Sequence, residues 1–252
     1  ARVQRELTPY TTITASAQRD YPERQATRIA LWQGMDLIES HRHHSHLGSI
    51  YPFRTIDPQD PAHAEVVRES IDWWTRQGPG TWSGWCVPWA AIINARCGRA
   101  DAAVAWLRWW RDVFTNVGNG PLHDADFQGA STIYAGRPDE IMQCDAAMGA
   151  LIAIQELLVQ VLGEVITVLP GIPRAWRRLR FDGMLTEGAF LVGATVADGR
   201  TVEVRIESRA GGLLQLRHGI TGAIMVDGAP CVSAVIERDL RAGERVAVRA
   251  GP

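Results

Sequence analysis

Four of the seven histidines fall within six residues, in His41-Arg42-His43-His44-Ser45-His46. Imidazoles and a guanidinium this dense donate hydrogen bonds in several directions, which suits the wall of a pocket for a hydroxyl-rich ligand. Two other readings stand beside it: a metal site, and a bland cluster that is solvated or satisfied in a core. The nearest carboxylates, Asp36 and Glu39, do not complete a known ligand pattern, and neither a metal nor an organic cofactor is expected. The pocket-wall reading makes His41, Arg42, His43 and His46 binding candidates.

A second group is aromatic. Thr81-Trp82-Ser83-Gly84-Trp85 is followed one helical turn later by Trp89. An indole covers the C–H face of a sugar ring while its N–H keeps a polar partner. Trp89, four residues after Trp85, reads as core. Trp82, in a glycine-flanked loop, reads equally as a ligand platform or as core. The third group is Gln143-Cys144-Asp145-Ala146-Ala147-Met148-Gly149. An aspartate in so apolar a stretch is unusual unless paired or functional. As an N-cap, Asp145 accepts backbone N–H bonds. Those donors also keep it ionised, the state a general base needs. Gln143 is a further binding candidate. Between these groups, residues 116–140 form a long glycine-rich loop holding His123, Asp124, Asp126, Asp139 and Glu140. Long loops in compact domains are often functional, although solvated loop charge explains each of these acids as well.

The elements that carry these groups change character near residue 163. Nine of the ten tryptophans precede it, and only Trp176 follows. Asp60-Pro61 predicts a helix start, with an apolar stripe at Val66, Val67, Ile71 and Trp74 and a stop at Gly78-Pro79-Gly80. Further helices are predicted from about Trp85 to Cys97 and over 100–115. From Ile141 to Leu162 the chain is apolar nearly all round, which predicts a helix buried on most sides. After residue 163, short β-prone runs occur at Glu164–Leu169, Phe190–Val196, Thr201–Ile206, Leu213–Leu216, Ala223–Val226 and Arg245–Val248. Gly199, Gly211-Gly212 and Asp227-Gly228 separate several of them, the pattern of a sandwich or small barrel.

The bulk composition excludes other classes. Net charge is −2 with acids and bases mixed, so neither nucleic acid nor an anionic membrane is an expected partner. Every basic residue is Arg, which leaves no lysine for Schiff-base or general-base work. Cys86, Cys97, Cys144 and Cys231 show no zinc spacing and read as small buried thiols. No run approaches the roughly 18 apolar residues of a membrane span. The chain opens at Ala1 without Met or a signal peptide, as a mature or truncated chain would.

Taken in order, the motifs resemble glycoside hydrolase family 95. The family's H-R-H-x-S-H-L followed by Y-P corresponds to HRHHSHLGSIYP at 41–52. Its T-G-W-S-x-x-W leading to A-R-x-G corresponds to TWSGWCVPWAAIINARCG at 81–98. F-Q-I-D-G-N-F-G before a helix closing in L-L-Q corresponds to IMQCDAAMGALIAIQELLVQ. G-E-I-x-L-L-P-A-L-P-x-x-W corresponds to GEVITVLPGIPRAW at 163–176. The match runs from about residue 41 to about residue 210.

The resemblance implies an α+β multidomain chain: residues 1–162 as the C-terminal part of an (α/α)6 catalytic barrel, and 163–252 as a small antiparallel β-sandwich. It implies inverting hydrolysis of terminal α-L-fucosyl or related α-L-galactosyl residues, with Asp145 on the base side and the His41–His46 segment in the sugar pocket. An inverting enzyme sets two carboxyls about 6.5–9.5 Å apart. The family's general acid lies upstream of this chain, with Glu140 or another loop acid as the substitute within it. The motif D-G-N-F-G reads D-A-A-M-G here, so Ala146 and Ala147 stand where the family has Gly and Asn. Two other readings remain: another (α/α)6-barrel α-glycosidase or phosphorylase, and a sugar-binding fragment without catalysis. Half a barrel leaves helix faces uncovered, so the missing N-terminal part or a second chain is the expected partner. By family analogy the expected location is extracytoplasmic.

Overall fold

The computed structural model describes residues 10–18, 21–125 and 140–251. The chain divides into two compact units, residues 1–97 with 102–153, and 98–101 with 154–252.

The first unit opens with an antiparallel hairpin, β1 (Thr12–Gln18) and β2 (Tyr21–Ile29), paired from Thr12↔Ile29 to Gln18↔Tyr21. The sequence reading did not anticipate it. The hairpin is held to helix α1 (Ala64–Gln77) by named polar bonds: the Ile29 N–H donates to Ser70 Oγ at 2.8 Å, and Arg76 donates to the Ala17 carbonyl at 2.7 Å. Arg28 is 2% exposed. Its guanidinium forks onto both oxygens of Asp36 and lies 3.9 Å from the ring centre of Trp73. A buried cation persists when its charge and donors are matched in this way.

Helix α1 begins later than Asp60-Pro61 suggests. Asp60 instead closes a turn ahead of it, its carboxylate accepting the Ala62 N–H and its carbonyl accepting those of His63 and Ala64. Val67, Ser70, Ile71, Trp73 and Trp74 form the buried stripe. Gly78, at φ 75°, stops the helix, as glycine does where a side chain would be strained. Helix α2 (Cys86–Arg96) is buried at every residue. Helices α3 (Ala100–Val113) and α4 (Cys144–Leu158) complete the set among the described residues. Trp74, Trp82, Phe114, Leu47, Ile50, Ile71 and Ile93 lie at the centre of the core.

Helix α4 corrects two expectations. It ends at Leu158, and Val159–Leu162 is a strand, β3. Nor is it buried on most sides: Met148, Leu151 and Ile154 are 61%, 54% and 44% exposed. Its inward positions are Ala146, Gly149, Ala150 and Ala153. Apolar character all round was present in the sequence, but the outward side stays exposed among the described residues.

The second unit holds two sheets. One has four strands in the order β11-β8-β4-β3 and the other six in the order β10-β9-β12-β7-β6-β5. The strands are β4 (Val165–Val168), β5 (Leu179–Leu185), β6 (Phe190–Ala197), β7 (Arg200–Ser208), β8 (Gly212–Arg217), β9 (Ile224–Val226), β10 (Ala229–Cys231), β11 (Val235–Leu240) and β12 (Arg245–Ala250). The two sheets share one core, in which Ile166, Val168, Leu214 and Leu216 meet the same cluster as Val192, Val204, Ile206, Val246 and Val248. The sandwich is not wholly antiparallel, because β4 pairs with β8 in parallel. Two hairpins turn on Asp-Gly pairs with positive φ, Asp198-Gly199 and Asp227-Gly228, the backbone signature of a tight right-twisted hairpin. On the outer face of the larger sheet, Glu203 and Glu207 pair with Arg205, Arg245 and Arg249. Such exposed pairs contribute about 0–1 kcal/mol each, so the buried aliphatic face holds the unit together.

The alternation in β8 supplies a test. Leu214 is fully buried and Leu213 is 51% exposed. Leu214→Ala is expected to cost about 2–5 kcal/mol, and Leu213→Ala no more than about 0.5 kcal/mol. Urea unfolding of both variants checks this, and equal costs would contradict the assigned face.

Candidate functional site

The start of helix α2 gathers the three groups singled out in the sequence. Around this helix end, donors on residues 84–86 find acceptors in other segments. Gly84 donates to the His123 carbonyl at 2.9 Å. Trp85 donates to Gln143 Oε1 at 2.7 Å. The Cys86 thiol donates to the Arg42 carbonyl at 2.6 Å and accepts the Ser83 N–H at 3.2 Å. Glycine is required at position 84, where a Cβ would lie 1.9 Å from the Leu122 carbonyl oxygen. The His41–His46 segment and the Gln143–Asp145 segment are thus tied to adjacent residues of one helix end.

His44 closes the arrangement from inside. Trp74 Nε1–H donates to its Nδ1 at 3.1 Å, so that nitrogen must be an acceptor. The proton therefore sits on Nε2, which donates to the Cys86 carbonyl at 3.0 Å. The rings of Trp74, Trp82 and Trp89 lie 4.8, 4.7 and 5.1 Å away. Burial pushes the His44 pKa down to about 3, against the pull of the Cys86 carbonyl, and the imidazole is neutral.

With His44 turned inward, its neighbours turn out. His41, Arg42 and His43 are exposed. The His43 N–H donates to His41 Nδ1 at 3.0 Å, and the two rings are 5.6 Å apart. Burial, then the charges of Arg42 and His41, lower the His43 pKa. His46 sits in the short 3-10 turn Ser45–Leu47. Its imidazole is pushed down to about 4 by burial first and His41 next, with Asp36 opposing. His46 Nδ1 is buried without a hydrogen-bond partner among the described residues.

Asp145 lies in the first turn of α4 and is exposed. It is not the cap residue expected from the sequence: the helix begins at Cys144, and the carboxylate accepts the next N–H, of Ala146, at 3.1 Å. The first turn still favours a carboxylate through the helix dipole. The segment is aligned by a short bridge, with His123 N–H donating to Ile141 O and Gln143 N–H to Pro121 O. Gly149 lets α4 lie close, since a Cβ there would meet the Trp85 ring at 2.6 Å and Pro88 at 3.1 Å.

Other candidates are placed elsewhere. Trp82 is 1% exposed, with Trp74 stacked at 5.2 Å, Trp106 at 5.0 Å and His44 edge-on. Its faces serve the core and are not presented to a ligand. Trp89, 9% exposed, is core as well. Cys144 is exposed rather than a buried thiol, while Cys86 is fully buried. Glu140 accepts a bond from Asn116 at 2.6 Å, and His123 pairs with Asp124 at 3.1 Å. Asp126 and Asp139 lie outside the described residues. Among the described residues, no three His, Cys, Asp or Glu side chains are grouped as a metal ion requires. The sequence reading missed Cys86, Gly84 and the special place of His44 among its neighbours. For Cys86 the available signal was its position at the start of a helix with no polar residue before Asn94.

Two family models match the chain: the glycosyl hydrolase family 95 catalytic domain over residues 31–158, and the family's C-terminal domain over residues 160–244. Alpha-L-fucosidase 2 of Arabidopsis thaliana is 29% identical over 167 residues, which cover 65% of this chain and 18% of that protein. The chain therefore spans about one fifth of that curated relative. Among solved structures, a GH127 β-arabinofuranosidase aligns with a TM-score of 0.29 and 11% identity, over 67% of this chain and 32% of that one. So loose a likeness says nothing about chemistry.

The two buried imidazoles carry a pH dependence. Their folded pKa values, about 3 and about 4, lie below the ordinary 6.5. The unfolded chain therefore binds more protons as pH falls below 6.5, and stability is lost from there down toward the folded values. By pH 5 each histidine is expected to cost about 2 kcal/mol relative to pH 7. Urea titrations followed by tryptophan fluorescence check this, with His46→Asn removing about half of the histidine contribution. A wild-type stability equal at pH 7 and pH 5 would contradict it.

Proposed function

The chain belongs to glycoside hydrolase family 95, and from that premise we propose that the whole protein removes a terminal α-L-fucosyl or α-L-galactosyl residue from a glycan by inverting hydrolysis. The observation that carries the reading is the shared anchor at the start of α2. Through the Arg42–Cys86 and Trp85–Gln143 bonds, one helix end holds both a row of exposed donors and the segment bearing an exposed carboxylate. Donors of the type of His41, Arg42, His43 and His46 suit sugar hydroxyls. Gln143 serves as a positioning residue, because its side-chain oxygen is engaged by Trp85. Asp145 is assigned to the base side, where a carboxylate activates water on the face opposite the leaving group. The general acid is assigned to the part of the protein outside these residues. Glu140, bonded to Asn116, is the less suitable substitute.

The helical unit is read as the end of an (α/α)6 barrel. Helix α4 gives way to β3 at residues 158–159 and the two family matches meet at 158–160, which supports a division of the domains close to the expected one at 162–163. An extracytoplasmic location is in keeping with glycan substrates and rests on analogy with the family. Among the described residues, no helix is long and apolar enough to cross a membrane.

A second reading has one observation in its favour. Ala146 is fully buried and, like Ala147, carries no polar group, so the two positions after Asp145 offer nothing to orient a water. A sugar-binding protein without turnover would look the same here. Aryl α-L-fucoside and α-L-galactoside, given to the whole protein with NMR of the released anomer, separate the two readings. Release of the β-sugar is the expected result, and Asp145→Asn is expected to lower kcat by about 10²–10⁴. Sugar binding without release from intact protein would favour the second reading, and full activity in Asp145→Asn would remove the assignment.

A further inference from the structure

The outer face of the six-stranded sheet carries a cleft of about 430 Å³, within the range of small-molecule pockets, about 300–1,000 Å³. Strand register explains its shape. Outward side chains recur at every second residue, and on β6, β7 and β12 they form three rows across the sheet. Leu191, Glu207 and Arg245 make one row, and Thr195, Glu203 and Arg249 another, about 13 Å away along the strands. The row between them is Gly193, Arg205 and Ala247, so two of its three positions have almost no side chain. Arg205 Nε and one Nη donate to Asp182 Oδ1 at 3.0 and 2.7 Å. Its other N–H groups reach Thr195 Oγ1, Glu203 and the Phe181 carbonyl. A Cβ at Gly193 would lie 2.6 Å from Asp182 Oδ1, so Arg205 and Asp182 join across that glycine. With every N–H of the fork engaged, the edge of the guanidinium is spent and its flat face remains.

We propose that this cleft, formed entirely within the second unit, is a binding site for one neutral, hydroxyl-rich sugar ring. Its lining sets three arginines, Arg205, Arg245 and Arg249, against three carboxylates, Asp182, Glu207 and Asp227. So even a balance gives an anionic ligand no advantage. A hydroxyl donates and accepts at once, and a rim that alternates guanidinium with carboxylate answers both. Arg245 and Arg249 are exposed and paired with Glu207 and Glu203, which places donor beside acceptor. Hydrogen bonds from Arg180, then Arg205, hold the Asp182 carboxyl below its usual range, so it stays an acceptor. The floor of Gly193, Ala247 and the Arg205 face suits the C–H face of a ring, because a guanidinium is flat and more weakly hydrated than an ammonium. An aromatic side chain fits that floor but leaves the polar rim without partners. The inference stands on the cleft alone and does not depend on whether the whole protein cleaves a sugar.

Titration of the ¹⁵N-labelled 252-residue chain with D-glucose, D-galactose and L-fucose, followed by ¹H–¹⁵N NMR, tests it. The backbone amides of Gly183, Gly193 and Ala247 are expected to shift saturably with at least one of these sugars, with Kd in the millimolar range. Ala247→Trp fills the floor and is expected to weaken that binding at least about tenfold. Arg245→Ala, at an exposed rim position, is expected to weaken it about three- to tenfold, and it keeps the test decisive if the tryptophan disturbs the strand. No shift at the three amides with any of the sugars would overturn the proposal. Shifts confined to His43 and Gln143 would overturn it as well, while leaving the sugar pocket proposed for the first unit untouched. A stronger response to D-galacturonate or to N-acetyltyrosinamide would also overturn it, by assigning the cleft to an anion or to an aromatic side chain. Unchanged affinity in both variants would do the same.

Discussion

The neutral imidazole of His44 is the constraint on which the first unit turns. It is the point where three segments meet: its own, helix α1 through Trp74, and helix α2 through the Cys86 carbonyl. Both ring nitrogens are used, one as acceptor and one as donor, and only the neutral Nε2–H tautomer can do this. Because position 44 points inward, positions 41 to 43 are carried outward. The exposed row of donors is therefore a consequence of a buried bond, and its direction is set by packing.

Helix α2 passes the same constraint on to the carboxylate. Its residues are all buried, and the N–H groups of Gly84 and Trp85 just ahead of it are bonded to His123 and Gln143 of another segment. Gly84 allows the Leu122 backbone to approach, and Gly149 allows α4 to lie against Trp85 and Pro88. Two glycines and one amide side chain, Gln143, thus define where the helix that carries Asp145 begins. Substitutions at these three positions act on the site through geometry, without touching a ligand.

Much of this frame was legible beforehand. Helix α1 and helix α3 follow from apolar residues at helical spacing, and the Asp198-Gly199 hairpin follows from a turn between two expected strands, whereas the strand after Asp227-Gly228, β10, was not expected. The hairpin of Thr12–Gln18 and Tyr21–Ile29 was not legible, since the alternation of TITASAQ rests on one Ile and two Ala, YPERQATRI has no alternation, and no Asn-Gly or Asp-Gly pair joins them. At the site, the His-rich segment was visible as a group, but nothing in its composition separates inward His44 from outward His43. Trp82 shows the same limit. A tryptophan between polar residues has no mark that tells a free face from one already stacked on Trp74. Helix α4 was misread for a related reason, because periodicity reports which residues are apolar and not which neighbours are present to cover them.

The most direct test of this account is the protonation state of His44, observed by long-range ¹H–¹⁵N correlation NMR of the imidazole nitrogens at pH 5.5. The account predicts a neutral ring protonated at Nε2, with the Trp74 indole N–H signal shifted by its bond to Nδ1. An imidazolium at that pH, or a ring protonated at Nδ1, would contradict it and would leave the outward row from His41 to His43 without its anchor.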